Sequence, residues 1–122
     1  KGVNIMRGVN KVILVGSLGA DPQTKSFPNG GSYAQFSIAT SERWQDKNTG
    51  EWKENTEWHR IVANGRLGEI AAQYLKKSSK VYVEGSLHTR SYKDNQNIDR
   101  YVTEVKIYNM QMLDSAPQAN PH

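Results

Sequence analysis

From Gly8 the chain reads G-V-N-K-V-I-L-V-G-S-L-G. Its unbroken apolar run from Val12 to Val15 predicts a first strand, buried on both sides or lying where a barrel closes. Gly16 and Gly19 end that run. Ala20-Asp21-Pro22 and Pro28-Asn29-Gly30-Gly31 then supply turn chemistry at both ends of a short connection. A second strand starts at Tyr33, where Ala34, Phe36 and Ile38 alternate with Gln35, Ser37 and Ala39, and it reaches Trp44. Residues 45–55 are polar apart from Trp52, which predicts a long hairpin tip and an antiparallel return. The returning strand, residues 56–66, sends Trp58, Arg60, Val62 and Asn64 to one face. Glu57, His59, Ile61 and Ala63 go to the other.

Beyond Gly65, residues Leu67, Ile70, Ala71, Tyr74 and Leu75 recur at the spacing of an amphipathic helix, with Lys76 and Lys77 in its last turn. Lys80 opens a fourth strand with Val81, Val83, Gly85 and Leu87 facing one way. Tyr82, Glu84, Ser86, His88, Arg90 and Tyr92 face the other. Residues 93–97 form a second polar tip, and residues 100–112 a fifth strand with Tyr101, Thr103, Val105 and Ile107 on one face. Three strands, a helix and two strands predict an all-β fold. Its element order is that of a five-stranded Greek-key OB-fold barrel with one α-helix between strands 3 and 4. The expected domain is residues 6–113. Residues 1–5, ahead of an internal Met6, read as a leader, and the polar, proline-bearing residues 114–122 as the start of a disordered linker. OB-folds bind oligonucleotides or oligosaccharides across a strand face, so the fold narrows the ligand without choosing it.

Composition changes this picture little. The 122 residues suit one domain, and a net charge of +4 permits a polyanionic partner without demanding one. The absence of cysteine excludes disulfides and thiolate metal sites. No apolar run approaches the roughly 20 residues of a membrane span, and there is no apolar signal core, so a soluble, cytoplasmic protein with no membrane partner is expected. Catalysis finds no support. His59, His88 and His122 are scattered, and Glu57 with His59 fit a cross-strand hydrogen bond better than a ligand pair. There is no P-loop and no dinucleotide fingerprint, so no enzyme, metal or cofactor is expected.

Aromatic and basic residues carry the candidate chemistry. Trp44 and Trp52 flank the first hairpin tip, Trp58 lies on the adjoining strand, and Tyr92 stands at the base of the second tip. Arg43, Lys47, Lys53, Arg60, Arg66, Arg90 and Lys93 interleave with them. A single strand of nucleic acid needs flat rings for its bases and cations for its phosphates, and each base stack contributes about 1–3 kcal/mol. Plain packing of rings in cross-strand pairs is the competing explanation, and it suits Tyr33 and Tyr101 best.

The chain resembles the bacterial single-stranded DNA-binding proteins. R-G-V-N-K-V-I-L-V-G-S-L-G-A-D-P, P-N-G-G, A-T-S-E-R-W, T-E-W-H-R-I-V, V-Y-V-E-G-S-L-H-T-R and D-R-Y-V-T-E-V follow that family's pattern in order and spacing over residues 6–113. The resemblance implies a homotetrameric OB-fold that wraps single-stranded DNA in replication, repair and recombination, in a bacterial cytoplasm and associated with the nucleoid. It implies stacking by Trp44 and Trp58, and phosphate contacts by Arg7, Lys47, Lys53, Arg66 and Lys77; Arg60 and Arg90 join them from the strand faces. Trp52 is a possible extra stacking residue. His59 matches a histidine at the subunit interface, and Tyr82 is a further candidate for contacts between subunits. Two positions depart from the family pattern: Tyr92 stands where a third stacking tryptophan is usual, and Asn64 where a phenylalanine stacks. The family's acidic C-terminal tail, which recruits replication and repair proteins, is absent from this chain. Two rivals remain, a dimeric OB protein of the primosome type and an OB-fold enzyme or oligosaccharide binder.

Overall fold

The computed structural model describes residues 7–114. The expected leader at 1–5 and the expected linker after residue 114 therefore lie outside the described residues. The elements are β1 (Val12–Leu18), β2 (Gln23–Ser26), β3 (Ser32–Gln45), β4 (Trp52–Asn64), α1 (Gly65–Tyr74), β5 (Lys80–Lys93) and β6 (Asp99–Met112). The sheet runs β1-β5-β6-β4-β3-β2, and an additional β1–β3 pairing closes five of the strands into a barrel. The fold is an all-β OB-fold barrel with one helix, as the element order predicts.

β1 is the strand of closure. It pairs with β5 from Val12↔Gly85 to Ser17↔Lys80, and with β3 at Ser17↔Ala39 and Leu18↔Ile38. Only one of its faces is buried, however: Val12 and Leu14 pack against the core, while Ile13 is 54% and Val15 45% exposed. Inside the barrel lie Ile38 and Ile61, which no solvent reaches, with Phe36, Val81, Val83, Val105 and Ile107 around them. Full burial of such a side chain contributes about 1.5–3 kcal/mol, so this cluster and its hydrogen-bonded ladders hold the outer face in place. Leu67, Ala71 and Leu75 of the helical segment add to the same core.

The strands outrun the core. β3 and β4 stay in register from Tyr33↔Asn64 to Gln45↔Trp52, so residues 52–55, expected in the tip, belong to β4 and the tip shortens to 46–51. β5 and β6 likewise pair out to Lys93↔Asp99. Each tip is tied by an aspartate. Asp46 Oδ1 accepts the backbone N–H groups of Asn48 at 2.7 Å and Thr49 at 3.2 Å, while Lys53 Nζ lies 3.3 Å from Oδ2. Asp94 does the same for Gln96, Ile98 and Arg100. These bonds favour the charged form, led by the N–H of Asn48 for Asp46 and of Ile98 for Asp94, and both carboxyls sit below their ordinary pKa. Leu87, expected to face inward, is 49% exposed although its cross-strand partner Val105 is buried, because the buried alternation of β5 ends at Gly85.

Two further differences bear on the surface. β2, unannounced by its polar residues, is an edge strand paired only to β3, from Gln23↔Gln35 to Ser26↔Ser32. The helix ends at Tyr74, before Lys76 and Lys77, which therefore do not lie in its last turn. The N–H of Lys76 donates to Ser79 Oγ at 3.0 Å and that of Lys77 to Asp21 Oδ1 at 2.8 Å, pinning both lysines in a loop against the β1–β2 turn.

Candidate nucleic-acid interface

The register decides which side chains share a face. Trp58 pairs with Ala39, Arg60 with Ser37, Val62 with Gln35 and Asn64 with Tyr33, and Val62 also pairs with Lys106 of β6. The inward neighbours Ile61, Ala63 and Val105 are buried in the core. Trp58, Arg60, Asn64 and Lys106 consequently project from the outside of the barrel. Trp44, Trp52, Trp58 and Tyr92 are 45%, 61%, 59% and 45% exposed, far more than packing rings in a core would be.

The hairpin splits these rings between two faces. Alternation puts Trp52 and Arg43 with Trp58, and Arg43 Cζ lies 5.2 Å from the Trp52 ring centroid. Trp44, paired with Lys53, falls on the opposite face with His59. His59 is half-buried, its Nε2 2.8 Å from Thr40 Oγ1. Tyr82, on the outer face of β5, donates its hydroxyl to Glu84; that bond raises the phenol's pKa and lowers the carboxyl's.

Trp58 rests on the β1–β2 turn. A Cβ built on Gly19 would come 2.5 Å from Trp58 Cζ3 and 2.8 Å from Cη2, so the edge of the indole's six-membered ring closes on a residue that has no side chain. Beside it, Trp58, Arg60, Gln35 and Ser37 line a hollow of about 350 Å³. A second hollow of about 270 Å³ lies further along, lined by Phe27, Tyr33, Val62, Asn64, Arg90, Glu104 and Lys106. Gln35 Nε2 donates to Glu104 Oε2 at 3.3 Å between the two.

The expected cations are not equivalent. Arg90 donates through Nε and Nη2 to both oxygens of the buried Glu104 carboxylate, each at 3.1 Å. That bidentate pair holds the guanidinium charged and partly cancels its field. Its Cζ also lies 5.9 Å from the Tyr92 ring centroid. Lys53 pairs with Asp46, and Arg66 with Glu69 at 3.3 Å. Among the described residues Arg7, Lys47, Arg60, Lys77 and Lys106 form no ion pair. Arg60 lines one hollow with the exposed Trp58, and Arg43, also without an ion pair among the described residues, stands over the exposed Trp52. The described residues hold no cluster of three His, Cys, Asp or Glu able to bind a metal, and no helix among them is long and apolar enough to cross a membrane.

Three residues of this surface escaped the sequence reading. Phe27 sat in a turn, Tyr33 read as a cross-strand packing ring, and Lys106 between Val105 and Ile107 gained meaning only from the β4–β6 register.

The barrel as a whole resembles a solved one. A solved structure of a Plasmodium falciparum SSB in complex with ssDNA superimposes with a TM-score of 0.78 at 37% identity, covering 91% of this chain and all of that one. The sequence model of the single-strand binding protein family matches residues 9–113, nearly all of the described structure, and the chain belongs to that family.

Proposed function

We propose that the protein binds single-stranded DNA without base-sequence selectivity, stacking bases on Trp58, Trp44, Tyr92 and Trp52, in the service of replication, repair and recombination. Arg60, Lys47, Lys77 and Arg7 take phosphates directly. Lys53, Arg66 and Arg90 do so in competition with their carboxylate partners. The observation that carries the reading is an exposed indole whose ring edge rests against Gly19, lining one hollow with an arginine that has no ion pair among the described residues. Because Trp44 and Trp58 stand on opposite faces of one hairpin, a strand that meets both must pass around the hairpin, which is a wrapping path. Stacking needs only the π-face common to all bases, so the site is sequence-tolerant.

The assembly we propose is a homotetramer built through the outer face of β1 and β5. Ile13 and Val15 are exposed there beside the half-buried Tyr82, an apolar surface suited to a second copy. His59 belongs to an interface on the other side of β4.

A titration with oligo-dT over a salt series tests the function. Tryptophan emission should quench on binding, and log K should fall against log salt with a slope of about −0.7 per phosphate neutralised. A carbohydrate-binding barrel would show neither.

A further inference from the structure

The β2–β3 turn carries two rings that the stacking set leaves out. Phe27 and Tyr33 stand with centroids 4.7 Å apart and planes 33° to one another. Phe27 is fixed by its turn: its N–H donates to Gly31 O and its carbonyl accepts from Gly30, both at 3.1 Å. Gly30 and Gly31 adopt φ of 95° and 72°, the left-handed region that glycine enters freely. With Phe27 still 40% exposed, the turn holds an aromatic ring at the rim of a hollow where packing into the core would otherwise have hidden it.

That hollow, about 270 Å³, is smaller than the roughly 300–1,000 Å³ of drug-sized ligand sites and suits a single planar ring. Phe27, Tyr33 and the buried Val62 line it, and its polar groups are Asn64, whose amide offers both a donor and an acceptor, and the buried Glu104 carboxylate. Arg90 is occupied by Glu104. Lys106, with no ion pair among the described residues, remains as the cation beside it.

We infer that this hollow is a base-binding subsite, in which one unpaired nucleobase of the single strand stacks on the Tyr33–Phe27 pair while Lys106 takes an adjoining phosphate. The inference rests on the proposed single-strand-binding reading of the barrel face. Tyr33 is the direct cross-strand partner of Asn64, so its ring stands beside that amide from β3. A base entering here meets the Asn64 amide among the polar groups of the hollow.

Two measurements test this. In the first, Tyr33→Leu and Phe27→Leu, which keep apolar volume and remove the rings, are titrated with oligo-dT beside wild type and Trp58→Ala. Each leucine variant that melts as wild type should bind about 5-fold or more weakly, the low end of one lost stack. In the second, wild-type protein is irradiated with oligo-dT carrying 5-iodouracil, and the crosslink should map to Tyr33 or Phe27. This arm needs no variant and decides the matter if the substitutions unfold the protein. Affinity within 2-fold of wild type in both variants, with no crosslink to either ring, overturns the subsite. If Trp58→Ala is weakened in the same assay, the loss is confined to the subsite; if it too binds as wild type, the reading of the whole face falls.

Discussion

Gly19→Ala separates the placement of the principal ring from its presence. The new methyl would lie 2.5 Å from Trp58 Cζ3, whereas carbon atoms rest at about 3.5–4.0 Å, so the indole must retreat by about 1 Å. It has room to do so, being 59% exposed, and the clash involves the far end of a side chain with no backbone in the way. Forcing the ring off its rotamer costs about 0.5–1.5 kcal/mol, and the displaced ring no longer offers its face at the original position. We expect oligo-dT binding to weaken by about 1 kcal/mol, close to 5-fold in Kd. Folding stability should change by less than about 1 kcal/mol, because the affected atoms lie outside the core. The assay is fluorescence titration with a short oligo-dT, paired with chemical denaturation of the same protein. Wild-type affinity in Gly19→Ala would refute the claim that this turn positions Trp58, and a large loss of stability would mean that the indole packs structurally.

Two other expectations follow from the geometry. Asp46 and Asp94 have folded-state pKa values below the ordinary carboxylate value, so their contribution is fully present above the unfolded pKa and is lost as pH falls through the lower folded one. Amide protection at Asn48, Thr49 and Ile98 should therefore hold from pH 8 down to about 4 and decline below it; loss of protection between pH 5 and 7 would contradict this. Val15→Asp, which places a charge on the exposed outer face of β1, should reduce the proposed homotetramer to smaller species in analytical ultracentrifugation, and unchanged sedimentation would remove that face from the proposed interface.

The sequence announced the barrel because its core strands bury one face. Ala34, Phe36 and Ile38 alternate with polar residues, and Leu67, Ala71 and Leu75 keep helical spacing, so each period records a boundary between core and water. That signal disappears where the boundary does. Residues 52–55 pair with 42–45 in solvent on both sides, and nothing in W-K-E-N distinguishes such a strand from a loop. β2 is four exposed residues held by β3 alone, equally silent. In β1 the run Val12 to Val15 suggested burial on both faces or a place at the barrel's closure; it is the closing strand, and its outward half is exposed in the single chain.

The site divides along the same line. Trp44, Trp58 and Tyr92 were legible because exposed rings beside cations are costly to explain as packing. Their distribution over two hairpin faces required the register of Trp44↔Lys53 and Ala39↔Trp58. Ion pairing was likewise invisible: Arg90 and Glu104 are fourteen positions apart in sequence and meet only through the β5–β6 ladder. Lys106 carries nothing in its neighbourhood that points to nucleic acid.

The claim underlying this account is that an exposed indole on the outer barrel face receives an unpaired base. Trp58→Ala, titrated with oligo-dT at fixed salt, addresses it most directly. We expect native melting, since the ring lies outside the core, and a loss of about 1–3 kcal/mol in binding. Undiminished affinity in a folded Trp58→Ala protein would contradict it.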